Sequence, residues 1–391
     1  EAMGELGNHY HSQYQKGNRG VIAVLAREEP NILHAWRLAR TNGWWDSVIS
    51  AMQGPRVLYD HRGRRADWAR CVREILPEFC DPETDGPLSG RENAWGLVTE
   101  YRVHLYREAR DYIGAEQLQR GCVERDRRDA QAALALPPHT LTDEQRETIR
   151  DLSASVHGLA QILREQGKAE CIEQYREAIA LLQRIGNRPG EAVAYVNIGQ
   201  AYKRVEEVRD LDQAEQAYRQ GLELMPDSDE LNRGKCHGEI GSVALERFDE
   251  ARAAGADETD LLAHLNAAAD GYHRQLALIP ETAVASLAVA HNQLGGIYEG
   301  AGDVDRAAHH WQESIRHALA NDDRYGAADP QFNMALMYAR EGRFSDALAY
   351  GEAALCGYSE FGDRARDDID KTQGLIEAIK EALQKQPGDK P

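Results

Sequence analysis

Along most of this chain the large apolar side chains recur three and four positions apart, the period of a helix that buries one face. Leu97, Tyr101 and Leu105 mark one such face, Ala115, Leu118 and Cys122 the next, and Leu159 with Leu163 a third. Ile369, Leu375, Ile376, Ile379 and Leu383 repeat the pattern near the end of the sequence, as an amphipathic helix with a polar outer face. Strand-type alternation is hard to find, and good helix formers dominate the composition. The pattern predicts an all-α protein.

Punctuation divides these faces into elements. After a break over 17–20, Pro30 is expected to start a helix carrying Leu33, Trp36 and Ala39, and Gly43 to separate it from one carrying Val48, Ile49 and Met52. Residues 52–79 read as a hairpin, with Val57 and Leu58 on one arm, Trp68, Val72 and Ile75 on the other, and Pro77 closing it. Residues 80–91 are rich in turn formers and predict a surface loop. Pro137 and Pro138 break the next helix pair, and Thr142 with Gln145 forms a capping box for the helix after them. Glu250–Thr259 reads as a loop-forming insertion.

Between Val193 and Tyr350 a second pattern lies on top of the first. Gly295, Tyr298 and Ala307 recur as Ala335, Tyr338 and Ala347, each 40 residues on, and an earlier copy runs Gly199, Tyr202, Ala214, Tyr218, Pro226. A small residue on one helix lets its partner approach closely, and an aromatic one turn away fills the adjoining space. Tyr218 and Trp311, four residues beyond their alanines, are expected to pack on the next hairpin, while Pro226 and Pro280 end helices. Self-similarity at such a period marks a solenoid of about nine or ten helical hairpins.

These residues resemble the tetratricopeptide repeat. The segment Glu28–Trp36 resembles the opening of the superhelical repeat domain in bacterial signal-transducing NTPases of the STAND class. The resemblance implies a right-handed superhelical solenoid of stacked antiparallel helix hairpins. Degenerate repeats are expected over 1–136, a repeat array with a capping helix over 142–386, and a frayed tail over 387–391.

A net charge of -19 argues against nucleic acid or an acidic membrane as partner, since both require a basic stripe. Arg62, Arg64, Arg65 and Arg70 cluster, and read as a solvated helix start. Six scattered cysteines form no CxxC pair, which points to reduced thiols and a cytoplasmic protein. The opening Glu1, Ala2, Met3 inside a helical pattern is expected of a piece of a longer polypeptide. The Trp44–Trp45 pair reads as core rather than ligand shelf.

Catalytic signatures are missing. There is no GxxxxGK[ST] phosphate loop, no HExxH and no GxSxG. Adjacent Cys236 and His237 would point about 100° apart on a helix and could not pair. Asp81, Glu83 and Asp85 alternate ahead of Gly86 as in a calcium loop, but Glu92 falls in the next helix start and the prolines disrupt the loop geometry, so no calcium site is expected. His309, His310 and His317 read as a wet helix face. No enzyme activity, cofactor or metal is expected.

What the resemblance implies instead is a concave groove lined by the first helix of each hairpin. Counted from Gly199, Gly241, Gly295 and Ala335, it would contain Val196, Asn197, Gln200, Lys203 and Arg204, then Lys235, Glu239 and Ser242, then Asn292, Gln293 and Glu299, and finally Phe332, Asn333 and Arg340. Amides there suit an extended peptide, because they bond main-chain groups whatever its sequence. The expected function is protein or peptide recognition, as the sensor arm of a larger bacterial signalling or defence protein. An NTPase or effector domain in the same or a neighbouring polypeptide is the expected companion; the alternative is a scaffold for a caspase-like protease.

Overall fold

The structure, a computed structural model, describes residues 2–15 and 20–385. Among them are seventeen α-helices and three short 3-10 turns, and the only extended pairing is an isolated antiparallel bridge between Cys80 and Pro87. Seventeen helices are too few for nine or ten hairpins. Among the described residues no helix is long and apolar enough to cross a membrane. Most of the break expected at 17–20, and the tail expected at 387–391, lie outside the described residues.

The helices group into two compact units, Glu1–Gln174 and Tyr175–Pro391, divided within helix α8 (Cys171–Ile185). The first unit contains α1 (Ala2–Gln15), α2 (Val21–Thr41), α3 (Trp45–His61), α4 (Arg65–Phe79), α5 (Glu92–Glu108), α6 (Tyr112–Leu134) and α7 (Asp143–Glu165). Here α1 lies against both α2 and α3, so the first three helices form a cluster rather than a hairpin. Their core, Leu25, Ile32, Val48, Met52, Leu58 and Tyr59, is continuous with Ile75 and Phe79 of α4.

Prolines misplace the expected boundaries in this unit. Pro30 lies inside α2 and Pro55 inside α3, and Pro77 sits two residues before the end of α4. Each removes one main-chain donor. Buried residues on both sides of each, such as Leu25 and Ile32 around Pro30, hold the helix together through the interruption. Consequently the helix expected to carry Val48, Ile49 and Met52 and the hairpin arm expected to carry Val57 and Leu58 are one helix.

The loop after α4 satisfies its own carboxylates. Asp81 Oδ1 accepts from the main-chain N–H groups of Glu83 and Thr84 and from the Thr84 hydroxyl, and Asp85 is held by both terminal nitrogens of Arg102 at 2.7 and 2.9 Å. Nearby, Arg64 pairs with Glu29 and Asp67, Arg65 with Glu108 and Arg70 with Asp67, so three of the four clustered arginines face carboxylates. The Trp pair divides. Trp45 packs edge-on against Phe79 with Arg91 over its face at 4.0 Å, whereas Trp44 is half exposed, contrary to the core reading. The Pro137–Pro138 turn joins α6 to α7, which pack along one another, and the Thr142–Gln145 capping box starts α7.

The second unit contains α9 (Arg188–Arg204), α10 (Leu211–Leu224), α11 (Glu230–Ala253), α12 (Glu258–Leu278), α13 (Val284–Gly300), α14 (Val304–Ala320), α15 (Arg324–Arg340), α16 (Phe344–Ser359) and α17 (Arg366–Lys385). The helices α9 to α16 pack as four hairpins in chain order, and α17 covers α16. Short side chains set where each begins: Asn187, Asp210, Asp229, Asp257, Asp303 and Asp323 each accept a main-chain N–H from the first turn. Glu250–Thr259 is not a loop. Rich in helix formers, it extends α11 and α12 up to a tight turn at Gly255, where φ is +76° and glycine is needed.

Close approach within the hairpins rests on the small residues. A Cβ on Gly199 would lie 2.8 Å from the Tyr218 ring, one on Gly241 3.0 Å from the Ala268 carbonyl oxygen, and one on Gly295 2.4 Å from the Trp311 indole. Ala214, Ala307, Ala335 and Ala347 are wholly buried. Tyr218 and Trp311 also reach the following hairpin: Tyr218 donates to Glu239, and Trp311 shares a core with Met334 and Met337.

Candidate groove of the second unit

The first helices α9, α11 and α13 enclose a groove of about 880 Å³. Helical spacing turns Val193, Val196, Asn197, Gln200 and Arg204 of α9 into it. Opposite them stand Lys235, Glu239 and Ser242 of α11, and α13 adds Ala285, Ser286, Val289 and Gln293. Val193 is 53% exposed and Val289 57%, so two aliphatic side chains that line the groove are open to solvent.

Of the sequence-predicted groove residues, Val196, Asn197, Gln200, Lys203, Arg204, Lys235, Glu239, Ser242 and Gln293 line this groove. Asn292, Glu299, Phe332, Asn333 and Arg340 do not. Asn292 is one position from Gln293, hence about 100° round the helix, and its Oδ1 is buried. Asn333 and Arg340 lie on α15, beyond the lining helices, and Arg340 pairs with Glu299 at 2.5 Å. Met225, Pro226 and Asp229, from the turn between hairpins, also line the groove. Helix counting could not find them, because the α10–α11 connection rather than a helical period carries them there.

Lys203 differs from the cation the sequence suggests. It is buried, with Nζ 2.6 Å from Glu239 Oε2 and 3.0 Å from Ser242 Oγ. The Tyr218 hydroxyl also donates to Glu239, at 3.3 Å, and burial followed by the Glu239 charge pushes its pKa up. Lys203 therefore fixes α9 to α11. Arg204 and Lys235 are the exposed cations of the groove, while Asp229 caps α11.

Below the groove, Cys236 donates to the Tyr218 carbonyl at 3.1 Å, and burial raises its thiol pKa to about 12. It is a structural thiol, not a nucleophile. The histidine reading needs correction: His309 is exposed, but His310 and His317 are buried at 9% and 8% exposure, facing α12 and α13 rather than water.

Stacked hairpins, small positions against aromatics and a groove on the first helices agree with a comparison of sequence. Residues 151–227 and 286–359 match the tetratricopeptide repeat family. Over those two stretches the chain is similar to tetratricopeptide repeats.

Among solved structures, a STAND protein with a tetratricopeptide repeat sensor from Pyrococcus horikoshii aligns at 14% identity and a TM-score of 0.47, covering 93% of this chain and 52% of that one. The chain thus spans about half of that protein. The apo quorum sensor NprR from B. thuringiensis aligns at 14% identity and a TM-score of 0.46, over 84% of this chain and 87% of that one. BtubC from P. vanneervenii aligns at 15% identity and a TM-score of 0.40, over 70% and 94%. No curated protein matches the chain. Tetratricopeptide repeats are modules of protein–protein interaction. In this chain the repeat register accounts for the small positions, and hence for which helix faces line the groove.

Proposed function

We propose that the groove between α9, α11 and α13 binds an extended peptide segment of a protein partner, and that the chain acts as the recognition arm of a larger bacterial signalling or defence protein. The exposure of Val193 and Val289 inside a concave surface carries this reading. Two aliphatic side chains left in water there gain by being covered, and the amides Asn197, Gln200 and Gln293 beside them can bond a peptide main chain. Arg204 and Lys235 favour acidic side chains on that peptide, the more so because Glu239 is already neutralised by Lys203. The signalling part of the proposal is supported by the repeats themselves and by a sequence without nucleotide-binding or catalytic motifs.

Selection of displayed peptides on the immobilised full chain tests the groove. Extended peptides pairing an apolar residue with acidic ones are expected. Val289→Glu should weaken them at least tenfold, about 1.4 kcal/mol. Arg204→Ala with Lys235→Ala should lower the association rate and flatten its salt dependence. These positions are on the surface, so thermal melting should stay near that of the parent. Peptides that bind all the variants equally would sink the proposal.

A further inference from the structure

Away from the groove, α12, α13 and α14 bring four histidines together. His291 Nδ1 lies 2.9 Å from His310 Nδ1, and the rings of His291 and His317 stack at 5.7 Å with planes 19° apart. His310 stacks in turn on Tyr298, whose hydroxyl is 2.8 Å from His273 Nε2. Glu313 precedes His317 by one helical turn, so both project from the same face of α14 towards α13. One ligand atom each from His291, Glu313 and His317 lie within 4.8 Å of one another.

This group already faces a cation. Arg316 donates to Glu313 Oε2 at 2.6 Å and to His317 Nε2 at 2.8 Å. A guanidinium only donates, so the His317 Nε2 lone pair and the carboxylate converge on one positive charge. With Nε2 accepting, the ring proton sits on Nδ1, which is buried without a hydrogen-bond partner.

We propose that His291, Glu313 and His317 form a binding site for a divalent transition ion of the zinc class, for which the Arg316 guanidinium competes. Two imidazoles and one carboxylate suit zinc, whereas calcium and magnesium prefer oxygen alone. Tetrahedral coordination at metal–ligand distances of about 2.0–2.1 Å puts donors roughly 3.4 Å apart, so the set must draw in by up to about 1.4 Å. Arg316 is exposed and can swing into solvent to allow it. Ligation through His291 Nε2 requires its Nδ1–H to donate to His310, which then orients the ligand from behind. Three protein donors leave a fourth position for water or a partner's side chain.

The test is calorimetric titration of zinc chloride into the untagged full chain near pH 7.5. One equivalent is expected to bind, at least tenfold more weakly in His291→Ala and in Glu313→Gln, and more tightly in Arg316→Ala. Because His317 is buried and its loss could unfold the hairpin, Glu313→Gln, at a half-buried position, is the deciding variant, checked by its circular dichroism. Cobalt should give the visible bands of a tetrahedral nitrogen and oxygen site. Absence of stoichiometric binding, a thiolate charge-transfer band, or equal affinity in Glu313→Gln would overturn the proposal, and unchanged affinity in Arg316→Ala would overturn the competition.

Discussion

At Cys236 the proton stays on sulfur, because burial disfavours the thiolate more than any neighbouring charge favours it. The same holds for Cys71, Cys122 and Cys171, each pushed to about 11 by burial. Cys356 is the exposed one. Alkylation of the native protein should therefore modify Cys356 rapidly and the five buried thiols only on unfolding, and Cys356→Ser should remove the fast phase. His157 behaves in the opposite sense. Burial, with a smaller contribution from the Arg164 charge, lowers its pKa from 6.5 to about 4. Its neutral form is thus fully compatible with the fold above pH 6.5, and stability is lost as pH falls from there towards 4. His157→Gln should make the melting temperature fall less steeply over that window; an unaltered slope would show that the ring is solvated. Nothing in the sequence marks this residue, nor His310 and His317. Periodicity shows which side of a helix is apolar, but a histidine on that side is compatible with either water or burial until the neighbouring helix is known.

Elements were legible where sterics dictate residue type. The Gly295–Trp311 contact needs both a missing side chain and a large flat one, so the pair is visible as a fixed spacing that recurs along the chain. Gly295→Ala puts a methyl 2.4 Å from the indole, and should cost about 1–3 kcal/mol through overpacking, read as a shift of the denaturant midpoint. A neutral result would mean that the indole can move aside. The prolines of α2 and α3 were misread for a converse reason: proline removes one hydrogen bond from a helix, but burial of its neighbours can outweigh that loss. Likewise, Glu250–Thr259 reads as a loop because it is an insertion between repeat positions, although Glu, Ala and Arg are strong helix formers. Groove residues on α9 and α11 were found by counting turns from a glycine. Those of the inter-hairpin turn were not, since no period reaches them.

Over the whole molecule the described helices fall into two units, and in the second each helix touches the next and, at most, the one after that. Contacts are therefore close in sequence, and ordering one pair closes only short loops. Such a stack behaves as a row of neighbours, each stabilised by those beside it, rather than as one body that melts at once. Helix α17 has a neighbour on one side, whereas α12 and α13 have them on both. Amide hydrogens should then exchange in a graded series, fastest in α17 and slowest near α12 and α13, with the gradient steepening in dilute denaturant. The same arrangement gives the stack a memory of where it is held: a ligand that locks α9 to α13 would slow exchange most in the helices it spans, and progressively less in each helix further along the row.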